Sequence, residues 1–207
     1  MTEYIVKQGD CLSSIANKFG LFWEKIWNHP QNSQLKELRK DPNILFPGDV
    51  VYIPDKEEKE EAVATGQKHR FRRKGVPEKL ELILCLEGEP RRNEEYELEI
   101  DGVFTSAKSD GEGKVSISIP PGARKGKLIL IRTGEEFNLD LGHLDPITEI
   151  TGIQARLVNL GFDVEVTGKW DEKSKEALRL FQKQNKLEPS GEIDETTRNK
   201  LKEVYGC

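Results

Sequence analysis

Tyr4-Ile5-Val6-Lys7-Gln8-Gly9-Asp10-Cys11-Leu12-Ser13-Ser14-Ile15-Ala16-Asn17-Lys18-Phe19-Gly20 reads as a strand, a turn and an amphipathic helix in immediate succession. The β-prone Tyr4-Ile5-Val6 run ends at Gly9, and Asp10 stands where a helix N-cap belongs. Leu12, Ile15, Ala16 and Phe19 recur at helical spacing, and Gly20 favours the left-handed turn that stops a helix, so a helix of about nine residues is predicted. Downstream, Trp23, Ile26 and Trp27 form a second stripe, Pro30 breaks it, and Leu35 and Leu38 renew the helical pattern. Val50-Val51-Tyr52-Ile53 is a second strand, ended by Pro54. Pairing the two strands gives a small βααβ module over residues 1–54.

The remaining composition sets limits. A chain of 207 residues suits two or three small domains, each with its own core. A third of the residues are charged, but the net charge is only −5, so nucleic acid is not an implied partner. Residues 1–9 lack a basic start and an apolar run, and no stretch approaches the ~18 apolar residues of a membrane span. The expectation is synthesis in the cytoplasm without a signal peptide and no membrane partner. Cys11, Cys85 and Cys207 are odd in number and far apart, which predicts free thiols.

Several residues of the first module carry a family resemblance: Tyr4-x-Val6, Gly9-Asp10-x-Leu12, Ile15-Ala16, Asn28-x-Pro30, Leu45-x-Pro47-Gly48-Asp49 and Ile53-Pro54. In order and spacing they resemble the LysM family, with Cys11 where that family usually has threonine and a longer segment over 29–43. The resemblance implies binding of N-acetylglucosamine-containing glycan in a shallow groove between two loops. Carried onto this chain, the glycan-binding residues are Gly9, Asp10, Cys11 and Leu12 on one loop and Ile44, Leu45, Phe46 and Pro47 on the other. Backbone amides and carbonyls would grip the acetamido group while Leu45 and Phe46 cover a sugar face.

Residues 55–67 are charged or small and read as a solvated tether. A basic strip over 68–74, with Phe71 inside it, reads as an alternating strand. Over residues 68–146 the pattern is strands at 80–86, 96–100, 115–119, 128–131 and 137–141, separated by turn signals such as Asp101-Gly102, Asp110-Gly111 and Pro120-Pro121-Gly122. A small antiparallel β-sandwich is predicted. Tyr96-x-Leu98-x-Ile100-Asp101-Gly102, Ser109-Asp110-Gly111-x-Gly113 and Ile119-Pro120 resemble the prealbumin-like repeats of carboxypeptidase-regulatory domains, which implies a spacer or docking module.

In residues 147–207, Ile153, Leu157 and Leu160 form a stripe between Thr151, read as its cap, and Gly161. Ala177, Leu178 and Phe181 form a second stripe after Asp171, and Leu201 and Val204 a third after Asp194. Gly168-Lys-Trp170-Asp171-Glu172-Lys-Ser174 recurs 23 residues later as Gly191-Glu-Ile193-Asp194-Glu195-Thr-Thr197. Each copy is a loop, an apolar plug and an Asp cap with a hydroxyl residue three places on. A three-helix module is predicted, and the fold class of the whole chain is multi-domain α+β.

Gln154-x-x-Leu157-x-x-Leu160-Gly161-Phe162, Ser174-x-x-Ala177-Leu178-x-x-Phe181-Gln182 and Gly191-x-Ile193-Asp194-x-x-Thr197 closely resemble the peptidoglycan-binding domain type 1. The resemblance implies a groove beside the helices, with Phe162, Trp170 and Gln182 as candidate glycan-binding residues. The same positions also read as architecture, Trp170 as a plug above all.

His29, His69 and His143 fall in three modules, none at metal-ligand spacing from a Cys or another His, so neither a metal nor a cofactor is expected. A Cys11–His29 nucleophile pair lacks an orienting third group, and both helical modules are too small for a lysozyme-like acid pocket, so no catalytic residue is expected. The expected function is non-catalytic peptidoglycan binding. An alternative follows from the joined modules, which resemble small proteins of bacterial contractile injection machines, including type VI secretion and phage-tail-like particles. There the chain would be an adaptor for a spike, hub or effector protein.

Overall fold

A computed structural model describes residues 2–56, 62, 64–69, 78–86 and 89–206. Two compact units emerge, Met1–Asn43 with Pro47–Gly142, and Ile44–Phe46 with His143–Cys207. The first unit contains the N-terminal module and the β-module; the second contains the helical module.

The N-terminal module runs β1 (Thr2–Ile5), α1 (Leu12–Phe19), α2 (Trp23–Trp27), a short 3-10 turn (Pro30–Asn32), α3 (Ser33–Arg39) and β2 (Val50–Ile53). The segment after Pro30 is thus a turn and a third helix, added to the expected βααβ order. Antiparallel β1 and β2 pair Thr2 with Ile53 and Ile5 with Val50. Leu12, Ile15, Ala16, Ile26, Trp27, Val51 and Ile53 are buried, as the stripes predict. Gly20 takes the left-handed conformation (φ 67°) and ends α1. The cap at the other end differs from expectation: it is Cys11, not Asp10. The Ser14 N–H reaches Cys11 Sγ at 3.4 Å, and the Cys11 N–H reaches Ser14 Oγ at 3.1 Å, a reciprocal capping box.

Asn32 and Arg39 hold the added segment to the sheet. Asn32 is buried; its amide donates to the Ile26 and Tyr52 carbonyls and accepts the Tyr52 N–H. That bridge occupies backbone groups at the open edge of β2. Arg39 forms a two-pronged ion pair with Asp49 at 2.8 Å on each arm, the buried kind whose geometry matters most.

The β-module contains β3 (Glu78–Ile83), β4 (Cys85–Leu86), β5 (Glu89–Pro90), β6 (Glu95–Ile100), β7 (Val103–Lys108), β8 (Lys114–Ile119), β9 (Lys125–Leu130) and β10 (Glu136–Asp140). One antiparallel sheet has the order β10-β9-β6-β7, and β3 pairs with β8. Tyr96, Leu98, Ile100, Leu128 and Leu130 from the first sheet share a core with Val115 and with Leu80, Leu82 and Ile117 from the second, which makes a small sandwich. Strand β7 is additional to the strands that the sequence pattern predicts. Asp101 (φ 50°) and Gly102 (φ 78°) both take left-handed conformations, forming a two-residue hairpin turn that sends the chain straight back along β6. Of the basic strip expected as a strand at 68–74, residues 70–74 lie outside the described residues, as does much of the tether.

The helical module comprises α4 (Ile150–Asn159), α5 (Glu172–Gln184) and α6 (Glu195–Tyr205) around Ile153, Leu157, Ala177, Leu178, Phe181 and Leu201. Asp171 and Asp194 cap α5 and α6 through the Ser174 and Thr197 N–H groups, as the repeat predicts. The cap of α4 is Glu149, and Thr151 lies inside the helix.

Candidate functional site

The loop between β1 and α1 is the first candidate. Gly9, Asp10, Cys11 and Leu12 are all buried. Asp10 accepts hydrogen bonds from the Tyr4 hydroxyl (2.8 Å) and the Lys7 N–H (3.0 Å), and pairs with the Arg124 guanidinium at 2.7 Å. Burial alone would push the Asp10 carboxyl up, but these donors outweigh it and hold it below the usual carboxylate range. The Cys11 thiol donates to Glu78 Oε1 at 3.2 Å, and burial followed by the Glu78 charge pushes it up to about 11. Glu78 is itself raised by burial, against the opposing hydrogen bonds from Cys11 and Ser13. A Cβ built on Gly142 would stand 2.7 Å from the Gly9 carbonyl oxygen. Three β-module residues that sequence reasoning did not single out, Glu78, Arg124 and Gly142, therefore surround this loop. No local pattern marks them, because each is defined by a partner more than 60 positions away.

A thiol held protonated at neutral pH is a poor nucleophile. Cys11 thus acts as a cap and a hydrogen-bond donor. On the second predicted loop, Ile44 and Leu45 are buried while Phe46 and Pro47 are half-buried; Ile44–Phe46 belong to the second unit. An open cleft of about 330 Å³ lies between Thr2, Lys18, Phe19, Ile53 and Lys56, at the end of β1 away from Gly9.

In the helical module, two glutamines organise the loops. Gln154 accepts the N–H groups of Thr167 (3.0 Å) and Gly168 (2.9 Å) and donates to the Lys169 carbonyl and to Ser174 Oγ. Gln182 repeats the arrangement one helix later, accepting the Gly191 N–H at 2.9 Å and donating to the Glu192 carbonyl and to Thr197 Oγ1. Both are buried to within 1%. The Gln182 amide, a candidate for glycan, is thus engaged inside the protein. Phe162 and Trp170 pack against the core, Phe162 edge-on to Phe181 at 6.0 Å. The Trp170 indole N–H is buried without a hydrogen-bond partner. Among the described residues no cluster of His, Cys, Asp or Glu has the arrangement of a metal site, and no helix is long and apolar enough to cross a membrane.

Comparison with family models matches residues 4–37 to the LysM domain and residues 148–201 to the putative peptidoglycan binding domain. The chain carries a LysM domain and a peptidoglycan-binding domain. Comparison with curated proteins finds no match, and comparison with solved structures finds none. The LysM match takes in the second half of β1, all of α1 and α2 and most of α3, and so includes the buried loop at Gly9 to Leu12. The second match takes in all three helices up to Leu201 and both glutamine-held loops. Together the two domains support a peptidoglycan-binding role and association with the cell wall.

Proposed function

We propose that this protein binds peptidoglycan without cleaving it, engaging N-acetylglucosamine-containing glycan through both its LysM domain and its helical domain. The observation that carries the reading is the presence in one chain of two unrelated modules from families of wall-binding character. Two weak sites joined in one chain gain effective concentration on a polymer, so each need bind only weakly. The protonated, buried Cys11 and the cap roles of Asp171 and Asp194 leave these groups as architecture and support a non-catalytic reading. The test is sedimentation with insoluble peptidoglycan. The full chain is expected in the pellet, and Leu178→Asp, which places a carboxylate at a fully buried core position, is expected to lower retention by disrupting the helical domain. A wild-type chain that stays in the supernatant contradicts the reading, and so does release of soluble wall fragments.

A second reading, an adaptor within a contractile injection particle, draws on one observation. Strand β7 is exposed along its whole length, with Val103 64% and Phe104 60% accessible. An exposed edge strand bearing apolar side chains suits the addition of a partner's strand. Co-fractionation of the chain with purified sheath-and-tube particles, lost in Phe104→Lys, would favour this reading over the first.

A further inference from the structure

The loop from Gly9 to Leu12 is gripped by groups of the β-module that come together from separate strands. Glu78 opens β3, Arg124 precedes β9, and Gly142 follows β10. The registers bring these points to one end of the sandwich: Glu78 pairs with Ile119 at the end of β8, and Lys125 pairs with Asp140. A backbone bond from the Leu141 N–H to the Arg124 carbonyl (2.9 Å) ties the latter two segments together. From that end, Arg124 takes the Asp10 carboxylate, Glu78 takes the Cys11 thiol, and Gly142 comes so close to the Gly9 carbonyl that a methyl group would not fit. Each contact engages a loop residue, Asp10, Cys11 or Gly9, that the LysM resemblance assigns to glycan. An acetamido-sugar recognised by this loop's backbone and Asp10 would compete directly with the β-module's end for the same atoms.

We infer that the β-module is a lid on the LysM loop, so that glycan binding there requires the end of the sandwich carrying Glu78, Arg124 and Gly142 to lift away. This rests on the reading that the LysM domain binds glycan. The contacts fit a releasable closure. Arg124 is 42% exposed in its side chain, so its ion pair with Asp10 is of the solvent-accessible, modest kind. Gly142 contributes closeness of approach and no side chain. The closed form sets an apparent affinity lower than the loop's own by the fraction of molecules that are open.

Arg124→Glu and Gly142→Ala test the lid independently, since both change the β-module side and leave the loop intact. In the full chain carrying Cys85→Ser and Cys207→Ser, the labelling rate of Cys11 by a thiol reagent reports opening, because Glu78 is its lid partner. Titration with a soluble N-acetylglucosamine hexamer reports binding. Both variants are expected to speed labelling and to tighten hexamer binding by about tenfold, in parallel. Faster labelling with unchanged affinity overturns the lid, as does labelling no faster than in the parent. If no form binds the hexamer while the full chain still sediments with peptidoglycan, the lid fails and wall binding stands on the helical domain. If sedimentation also fails, the wall-binding reading falls with it.

Discussion

Cys11 sits where a hydroxyl residue usually caps a helix, and its sulfur does that work as a weaker acceptor while its S–H reaches across to Glu78. Burial, followed by the nearby carboxylate, raises the thiol to about 11. Its reaction with a thiol reagent at pH 8 is therefore expected to be slow in the native chain, well behind the exposed Cys85, and to become fast in denaturant. Equal native rates for the two thiols would sink this account of the site. The two glutamines make a second residue-scale case. Gln182→Ala removes the acceptor of the Gly191 N–H and the donor to Thr197, leaving buried polar groups unmatched, so a loss of about 1–3 kcal/mol is expected in urea unfolding. A change below about 0.5 kcal/mol, the range of a surface substitution, would mean that the loop is held by other means.

At the scale of elements, the α5 and α6 caps were legible because each needs only an Asp and a hydroxyl residue three positions on. Asp194→Ala is expected to cost about 1 kcal/mol through loss of the Thr197 N–H bond, measured by thermal unfolding. The cap of α1 lies one residue later than the sequence predicts, at Cys11, although Asp10 satisfies the same rule. Its carboxylate is instead drawn to Tyr4, Lys7 and Arg124, and Arg124 is invisible to local reading. Strand β7 escaped for a different reason. Val103-Phe104-Thr105-Ser106-Ala107-Lys108 has no alternation because none of it is buried, so only the Asp-Gly turn announces it. The roles of Gln154 and Gln182 also lay outside pattern reading, which finds apolar stripes and caps but not a polar side chain folded inward. The Asp10–Arg124 pair carries a pH signature. Because Asp10 is held below its ordinary value of 3.8, its stabilisation is present above that value and is lost as pH falls through the lowered one. The stability difference between wild type and Arg124→Ala should therefore be about 0.5–1 kcal/mol at neutral pH and shrink as pH falls below about 4. A difference that stays constant on acidification would remove Asp10 as the partner that matters.

Across the whole molecule, the LysM and helical modules were readable from their spacing, and the family matches fall within the expected spans. The surroundings of the candidate loop were not readable, since they join residues 67 and 114 positions apart that no periodicity connects. The most direct measurement is a sedimentation titration of the full chain against purified insoluble peptidoglycan, following protein in the pellet and soluble sugar in the supernatant. Saturable retention with no release of wall fragments is the predicted result. A chain that remains in the supernatant at every peptidoglycan concentration, or one that liberates soluble fragments as it binds, would contradict the account.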